Sequence, residues 1–419
     1  MKINASGRRS FLKQGAALAG LAVGGVRSAS GAPVSQAQLS VELRRRRAYG
    51  ERSPFETATR GDTSIPESHT PLHEQMGIIT PSALHYVVSH SYDPPDIDPR
   101  EHRLLIHGLV DRPLIFTLDE LKRLPSVSRI HFIECAGNTS PSDTKPLLQT
   151  VQNTHGWTSC SVWTGVSLSL LLKEAGLQKE GTWIVAEGSD AGKLTKSIPI
   201  EKALDDVIVA YGQNGEAVRP ENGYPLRLVV PGFEGLSNVK WLRRIKVVDE
   251  PYHARSESTG YSVLRPAFAG KALWFDFELG PKSVITRPAG GANGITALPG
   301  PGFYEIAGLA WSGGGAIRKV EVSTDAGGTW TEAQLQEPVL RKAHTRFVFP
   351  WTWNGREAVL QSRCTDERGD VQPSLAEIAE MWGVTPDFFQ TSTTRIFHFN
   401  PIYPWKVTSD GHIESALFA

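Results

Sequence analysis

The texture of the chain changes once, at Pro266, and that change commits it to two differently built halves. Upstream, strand-like runs alternate with helix signals. Downstream, helix signals nearly vanish, and Gly-rich turns separate short alternating runs such as Lys319-Val320-Glu321-Val322-Ser323. A length of 419 residues exceeds what one ordinary core serves, so two globular units are expected. The first reads as mixed α+β and the second as an all-β, immunoglobulin-like sandwich.

Local signals fill in the first unit. Thr117-Leu118-Asp119-Glu120 is a capping box that opens a helix through Leu124, between strands at Arg103–Val110 and Arg129–Glu134. Ser167–Ala175 reads as an apolar helix stopped by Gly176, Thr182–Ala186 as a strand, and Glu201–Leu204 as a helical turn after Pro199. Asn214-Gly215 joins Val207–Tyr211 to Glu216–Val218 as a hairpin. Strands at Leu226–Val230 and Val239–Val248 complete the unit, expected over 76–265. In the second, expected over 266–386, the turn Asp325–Gly328 is followed by strands at Arg346–Phe349 and Ala358–Arg363. Residues 33–75 are polar and read as an extended N-terminal arm. The aromatic, proline-rich tail 387–419, with Phe397-His398-Phe399-Asn400-Pro401, packs on its own chain, covers a groove or docks a partner.

Charge narrows the choice of partners. Lys+Arg and Asp+Glu balance at 44 each, so no overall basic field argues for nucleic acid or an anionic membrane. The exception is the N-terminus, where no acidic residue occurs before Glu42. Arg8-Arg9-Ser10-Phe11-Leu12-Lys13 followed by the small apolar run Ala16–Val26 resembles a twin-arginine export signal, expected over 1–32. That predicts a periplasmic protein exported already folded. No other run approaches the roughly 20 apolar residues of a membrane span. Cys135, Cys160 and Cys364 are too few for a disulfide framework and match no zinc spacing. Absence of a Cys-x-x-Cys-His motif predicts no covalently attached haem in this chain.

Cys135, at a strand end before the Gly137-Asn138 turn, by itself reads as a small buried hydrophobe rather than as chemistry. Its context is more telling. Glu134-Cys135-Ala136-Gly137-Asn138, Trp163-Thr164-Gly165-Val166, Ser197-Ile198-Pro199, Tyr211–Gly215, Gly223–Arg227, Val230-Pro231-Gly232 and Val239–Leu242 follow one another in the order found in the sulfite oxidase family of molybdenum enzymes, which this chain resembles. The resemblance implies a molybdopterin domain followed by a dimerisation sandwich, with Cys135 as the thiolate ligand of molybdenum, a metal suited to soft sulfur donors. It implies cofactor contacts from Tyr86, Val87, Val88, Ser89 and His90, from Asp190, Asn222 and Arg227, and from Asn238, Val239 and Lys240. Asn222 stands where a histidine is common. Tyr261, 20 residues beyond Trp241, is implied as a catalytic phenol near the metal.

Departures from the family bear on substrate. Sulfite oxidases bind their dianion with arginines where this chain has Val88, Thr139 and Ser140. Without guanidinium groups, bidentate recognition of an oxyanion is lost. These departures resemble the branch of the family that serves bacterial thiosulfate oxidation. That resemblance implies a sulfane sulfur carried on a separate protein as substrate, a c-type cytochrome subunit as electron acceptor, and a homodimer within a heterotetramer. The alternatives are a sulfite:cytochrome c oxidoreductase, an S-oxide reductase of the same family, and a cofactor-free protein whose sandwich binds a partner.

Overall fold

A computed structural model describes residues 49–61, 67–90, 93–141, 150–290, 297–392 and 396–418. The chain forms two compact units, Met1–Thr57 and Ala58–Ala419. The expected export segment, 1–32, lies outside the described residues, and the described part of the first unit, 49–57, is exposed.

The first domain of the second unit is built on two five-stranded sheets. In one, Val127–Glu134 pairs antiparallel with Thr158–Ser167, which pairs with Ile208–Gln213; Glu216–Ala217 and Arg227–Val229 also join Ile208–Gln213. In the other, the order is Leu114–Phe116, Leu104–Gly108, Leu242–Val248, Trp183–Gly188, Thr195–Pro199, with only the Leu104–Gly108 and Leu242–Val248 pair parallel. The local signals act as their chemistry requires. Thr117 and Glu120 close a reciprocal capping box on the Leu118–Arg123 helix. Gly176 ends the Leu168–Ala175 helix at φ 75°, and Asn214 and Gly215 take φ 53° and 81° at the hairpin tip.

The second domain is a sandwich of antiparallel sheets. Lys282–Arg287, Gly302–Trp311, Thr345–Trp353 and Gln334–Gln336 form one layer. Thr331–Glu332, Ile317–Ser323, Ala358–Asp366, Trp405–Val407 and Ile413–Ser415 form the other. Trp311, Phe347 and Trp405 are fully buried in the domain core.

One sequence expectation is corrected. The second half is not purely β: a Ser374–Glu377 capping box opens a helix at Leu375–Trp382, which Gly383 closes, and Asp387–Thr391 forms another helical turn. Ile378, Ala379 and Trp382 point that helix into a small cluster with Val263, Phe389 and Phe399. The 387–419 segment packs on its own chain, as the first of its three readings has it: its Trp405–Val407 strand pairs with Ala358–Leu360 and joins a sheet.

The domains share a core. Leu72, Phe132, Val151 and Cys160 pack in the same apolar cluster as the sandwich. Leu72 is fully buried and Gln75 O and Gly77 O accept from Arg346, so this end of the N-terminal arm is packed. Lys342 of the sandwich pairs with Asp206 at 2.6 Å, and its carbonyl accepts from Phe132 N at 3.0 Å. The strand leading to Cys135 is thus tied to the sandwich as well as to its sheet partner Thr158–Ser167.

Candidate active site

Burial along Val127–Glu134 rises toward its end, so its last four residues run into the interior and deliver Cys135 there. Cys135 N donates to Trp157 O, and Asn138 N closes the following turn on Cys135 O, both at 2.9 Å. Thr139 then takes φ 71°, a left-handed conformation costly for a β-branched residue. A buried network supports it. Lys282 Nζ donates to Glu134 Oε1 at 2.6 Å, Trp311 Nε1 to Glu134 Oε2 at 2.6 Å, and Asn138 Nδ2 to Glu134 Oε1 at 2.8 Å. Lys282 also reaches Asn138 O and Thr139 Oγ1 at 3.5 Å. Lys282 and Trp311 belong to the sandwich, so the second domain holds the cysteine loop in shape.

Cys135 opens onto a cavity that is open to solvent on one side. Ten of the residues named from sequence line it: Tyr86, Val88, His90, Cys135, Asp190, Asn222, Arg227, Asn238, Lys240 and Tyr261. Val87, Ser89 and Val239 do not. For the first two the reason is strand alternation: Val87 and Val88 pair with Ser68 and Glu67, so Tyr86, Val88 and His90 face the cavity and the intervening residues face away. Val239 is fully buried in the core of the first domain. Asn238 reaches the cavity, but its amide is occupied: Oδ1 accepts from Val230 N at 2.8 Å and Nδ2 donates to Glu234 O at 3.1 Å. Asp190 Oδ1 accepts from Leu194 N at 3.0 Å.

The floor carries two cations with incomplete partners. Arg227 is buried; its Nη1 donates to Asn222 O at 2.9 Å, its guanidinium lies 5.3 Å from the Trp163 ring centroid, and its Nε meets no acceptor. Lys240 Nζ donates to the carbonyls of Val88 and Glu221, each at 3.1 Å, and lies 4.5 Å from the Trp241 ring centroid. Among the described residues neither cation forms an ion pair. Burial lowers Arg227 to about 10, and burial together with Arg227 lowers Lys240 to about 7. Burial and then Arg227 likewise hold His85, behind Tyr86, neutral at about 3. A buried cation pair with spare donors fits an anion such as a phosphate. Gly235 supplies room beside it: a Cβ there would come within 2.9 Å of Glu134 O and Tyr86 Oη and 3.2 Å of Cys135 Cα. Thiol, cationic floor and glycine cradle therefore fit a sulfur-ligated metal carried on an anionic organic group.

At the other end of the cavity, Tyr261 Oη lies 2.9 Å from His90 Nε2. Thr139 and Ser140 are buried, at 4% and 0% exposure. Sequence reasoning missed Leu194, Glu221, Gly235, Leu236 and Trp241 as lining residues. Glu221 and Trp241 sat beside named positions, whereas Gly235 and Leu236 carried no signal apart from their place in the fold.

Comparison with known proteins agrees with this geometry. The model of the oxidoreductase molybdopterin binding domain matches residues 90–256, and that of the Mo-co oxidoreductase dimerisation domain matches 275–394. NADH nitrate reductase of Volvox carteri is 32% identical over 340 residues, covering 72% of this chain and 38% of the relative. Mitochondrial sulfite oxidase of Mus musculus is 31% identical over 330 residues, covering 74% and 58%. The chain thus spans well under two thirds of these relatives. The crystal structure of the sulfane dehydrogenase SoxCD from Paracoccus pantotrophus superposes with a TM-score of 0.80 at 37% identity, covering 88% of this chain and 96% of that one. On the matched domains, the shared fold and this breadth of identity, the chain belongs to the sulfite oxidase family of molybdopterin-dependent oxidoreductases.

Proposed function

We propose that this oxidoreductase removes electrons from sulfane sulfur borne on a partner protein and delivers them to a c-type cytochrome. The cavity wall carries the reading. Val88 lines the cavity where the family resemblance places an arginine, and Thr139 and Ser140 are turned into internal bonds: Lys282 Nζ lies 3.5 Å from Thr139 Oγ1, and Ser140 Oγ accepts from Ile396 N at 3.1 Å. Among the described residues Arg227 is the sole arginine in the lining, and it sits beside Lys240. A mouth flanked by Val88, His90 and Tyr261 suits a sulfur presented on a peptide better than a free dianion. Likeness to a sulfane dehydrogenase adds support.

When bound, the molybdenum cofactor supplies two-electron redox chemistry with oxygen transfer to sulfur. Cys135 would hold the metal, Arg227 and Lys240 the anionic end of the organic group, and Gly235 the space between them. Tyr261 and His90 share one proton across 2.9 Å at the mouth, a donor that can orient an oxygen or sulfur near the thiol. The Arg8-Arg9 segment supports export to the periplasm, and the second domain supports a homodimer joined by two cytochrome subunits.

Metal and pterin analysis of the purified holoprotein, with Cys135→Ser beside it, is the first test. The variant is expected to lose molybdenum and activity; a variant with stoichiometric metal and normal turnover removes Cys135 as ligand. Turnover of free sulfite is the second. A micromolar KM for sulfite returns the protein to the sulfite dehydrogenases.

A further inference from the structure

The segment following residue 395 grips the loop that carries Cys135. Ile396 N donates to Ser140 Oγ at 3.1 Å and His398 N donates to Ala136 O at 2.9 Å, one bond near each end of the turn. His398 takes φ 56°, and its Nε2 lies 3.4 Å from Glu234 Oε2, itself paired with Lys196 at 2.7 Å. Burial alone would raise Glu234; Lys196 and His398 override it and keep the carboxylate below its usual range. Phe399 is buried against Phe389, and Asn400 Nδ2 donates to Pro281 O at 2.9 Å. The backbone is thus pinned on both sides of one residue, Phe397.

Phe397 spends that fixed position on Tyr261. Their rings stack with centroids 5.0 Å apart at 21°, while Tyr261 meets His90 edge-on at 5.7 Å and through its hydroxyl. Tyr261 itself follows the single π-helical turn Ser256–Gly260, its backbone N–H donating to Ser256 O at 2.8 Å. Phe397 does not line the cavity; Tyr261 and His90 do.

We propose that Phe397 is a positioning residue for Tyr261, and that the 396–400 segment is the third structural element of the active site, beside the two domains. The proposal rests on the reading that Tyr261 acts at the molybdenum centre. By this arrangement the Cys135 loop and the Tyr261 ring are held by one five-residue piece of chain, so the spacing between thiol and phenol is set from the C-terminus.

The test compares holoenzyme carrying Phe397→Ala, Phe397→Leu and Phe397→Tyr with the parent. Nitration of Tyr261 by tetranitromethane, read by peptide mass, reports the ring's freedom whether or not the enzyme turns over. Steady-state kinetics with a protein-bound sulfur donor report its placement. Phe397→Ala is expected to nitrate severalfold faster at Tyr261 and to lose about tenfold to a hundredfold in kcat, with a smaller change in KM. Phe397→Tyr, which keeps the ring, should restore both. If Phe397→Ala fails to retain cofactor, Phe397→Leu carries the same comparison, because it keeps apolar bulk without a ring. Unchanged nitration overturns the contact, and faster nitration with unchanged kcat overturns the positioning role. A parent holoenzyme that holds no molybdenum or oxidises no sulfur instead sinks the functional reading, and the nitration arm still reads the contact.

Discussion

Replacing Lys282 by Met removes the cation that neutralises Glu134, the residue before Cys135. The pair is 2.6 Å apart, with side chains 4% and 1% exposed. Breaking such a pair from one side costs about 3–5 kcal/mol, because the remaining charge stays buried without its partner. Trp311 Nε1 and Asn138 Nδ2 still donate to Glu134, which places the expected cost toward the lower end of that range. Urea unfolding followed by tryptophan fluorescence measures it: at a slope near 3 kcal/mol/M the midpoint falls by about 1 M. Glu134→Gln combined with Lys282→Met replaces both charges and is expected to be more stable than Lys282→Met alone, since removing a whole buried pair is often nearly neutral. If Lys282→Met costs less than about 1 kcal/mol, or the two substitutions add within about 0.5 kcal/mol, the network does not hold the Cys135 loop as argued.

Two further outcomes follow from the cavity. Burial, and then the neighbouring Arg227, lower Lys240 to about 7, and a bound anion would raise that value, so binding takes up a proton. Cofactor affinity is then greatest below pH 7 and falls as pH rises through the interval between the free and bound values; Lys240→Arg, charged throughout, should flatten the profile, and an unchanged slope refutes the assignment. Gly235→Ala places a methyl 2.9 Å from Glu134 O and Tyr86 Oη, distances that force backbone or ring to move, so the variant should fold but purify with molybdenum well below the parent's content.

The sequence alone determined what is local or ordered along the chain. The Thr117–Glu120 box, the Gly176 stop and the Asn214-Gly215 hairpin depend on the backbone preferences of a few adjacent residues, and each appears where those preferences place it. The ordered segments around Cys135 carried the family resemblance, and that resemblance implied ten residues that line one cavity. Signals of the same kind existed at Ser374 and Glu377, but the β-rich context around them hid an eight-residue helix.

Tertiary structure alone decided what depends on facing and on distant contacts. Strand alternation turned Val87 and Ser89 away from the cavity while leaving Val88 and His90 on it, and the register with Glu67 and Ser68 that sets this is a pairing between separate segments. Lys282 and Glu134 are 148 positions apart, and Ile396 and Ser140 are 256 apart. No periodicity in the sequence encodes such meetings, because they arise only when two domains share a core. They convert Cys135 from a cysteine at a strand end into a thiol held in place by the sandwich on one side and by the C-terminal segment on the other.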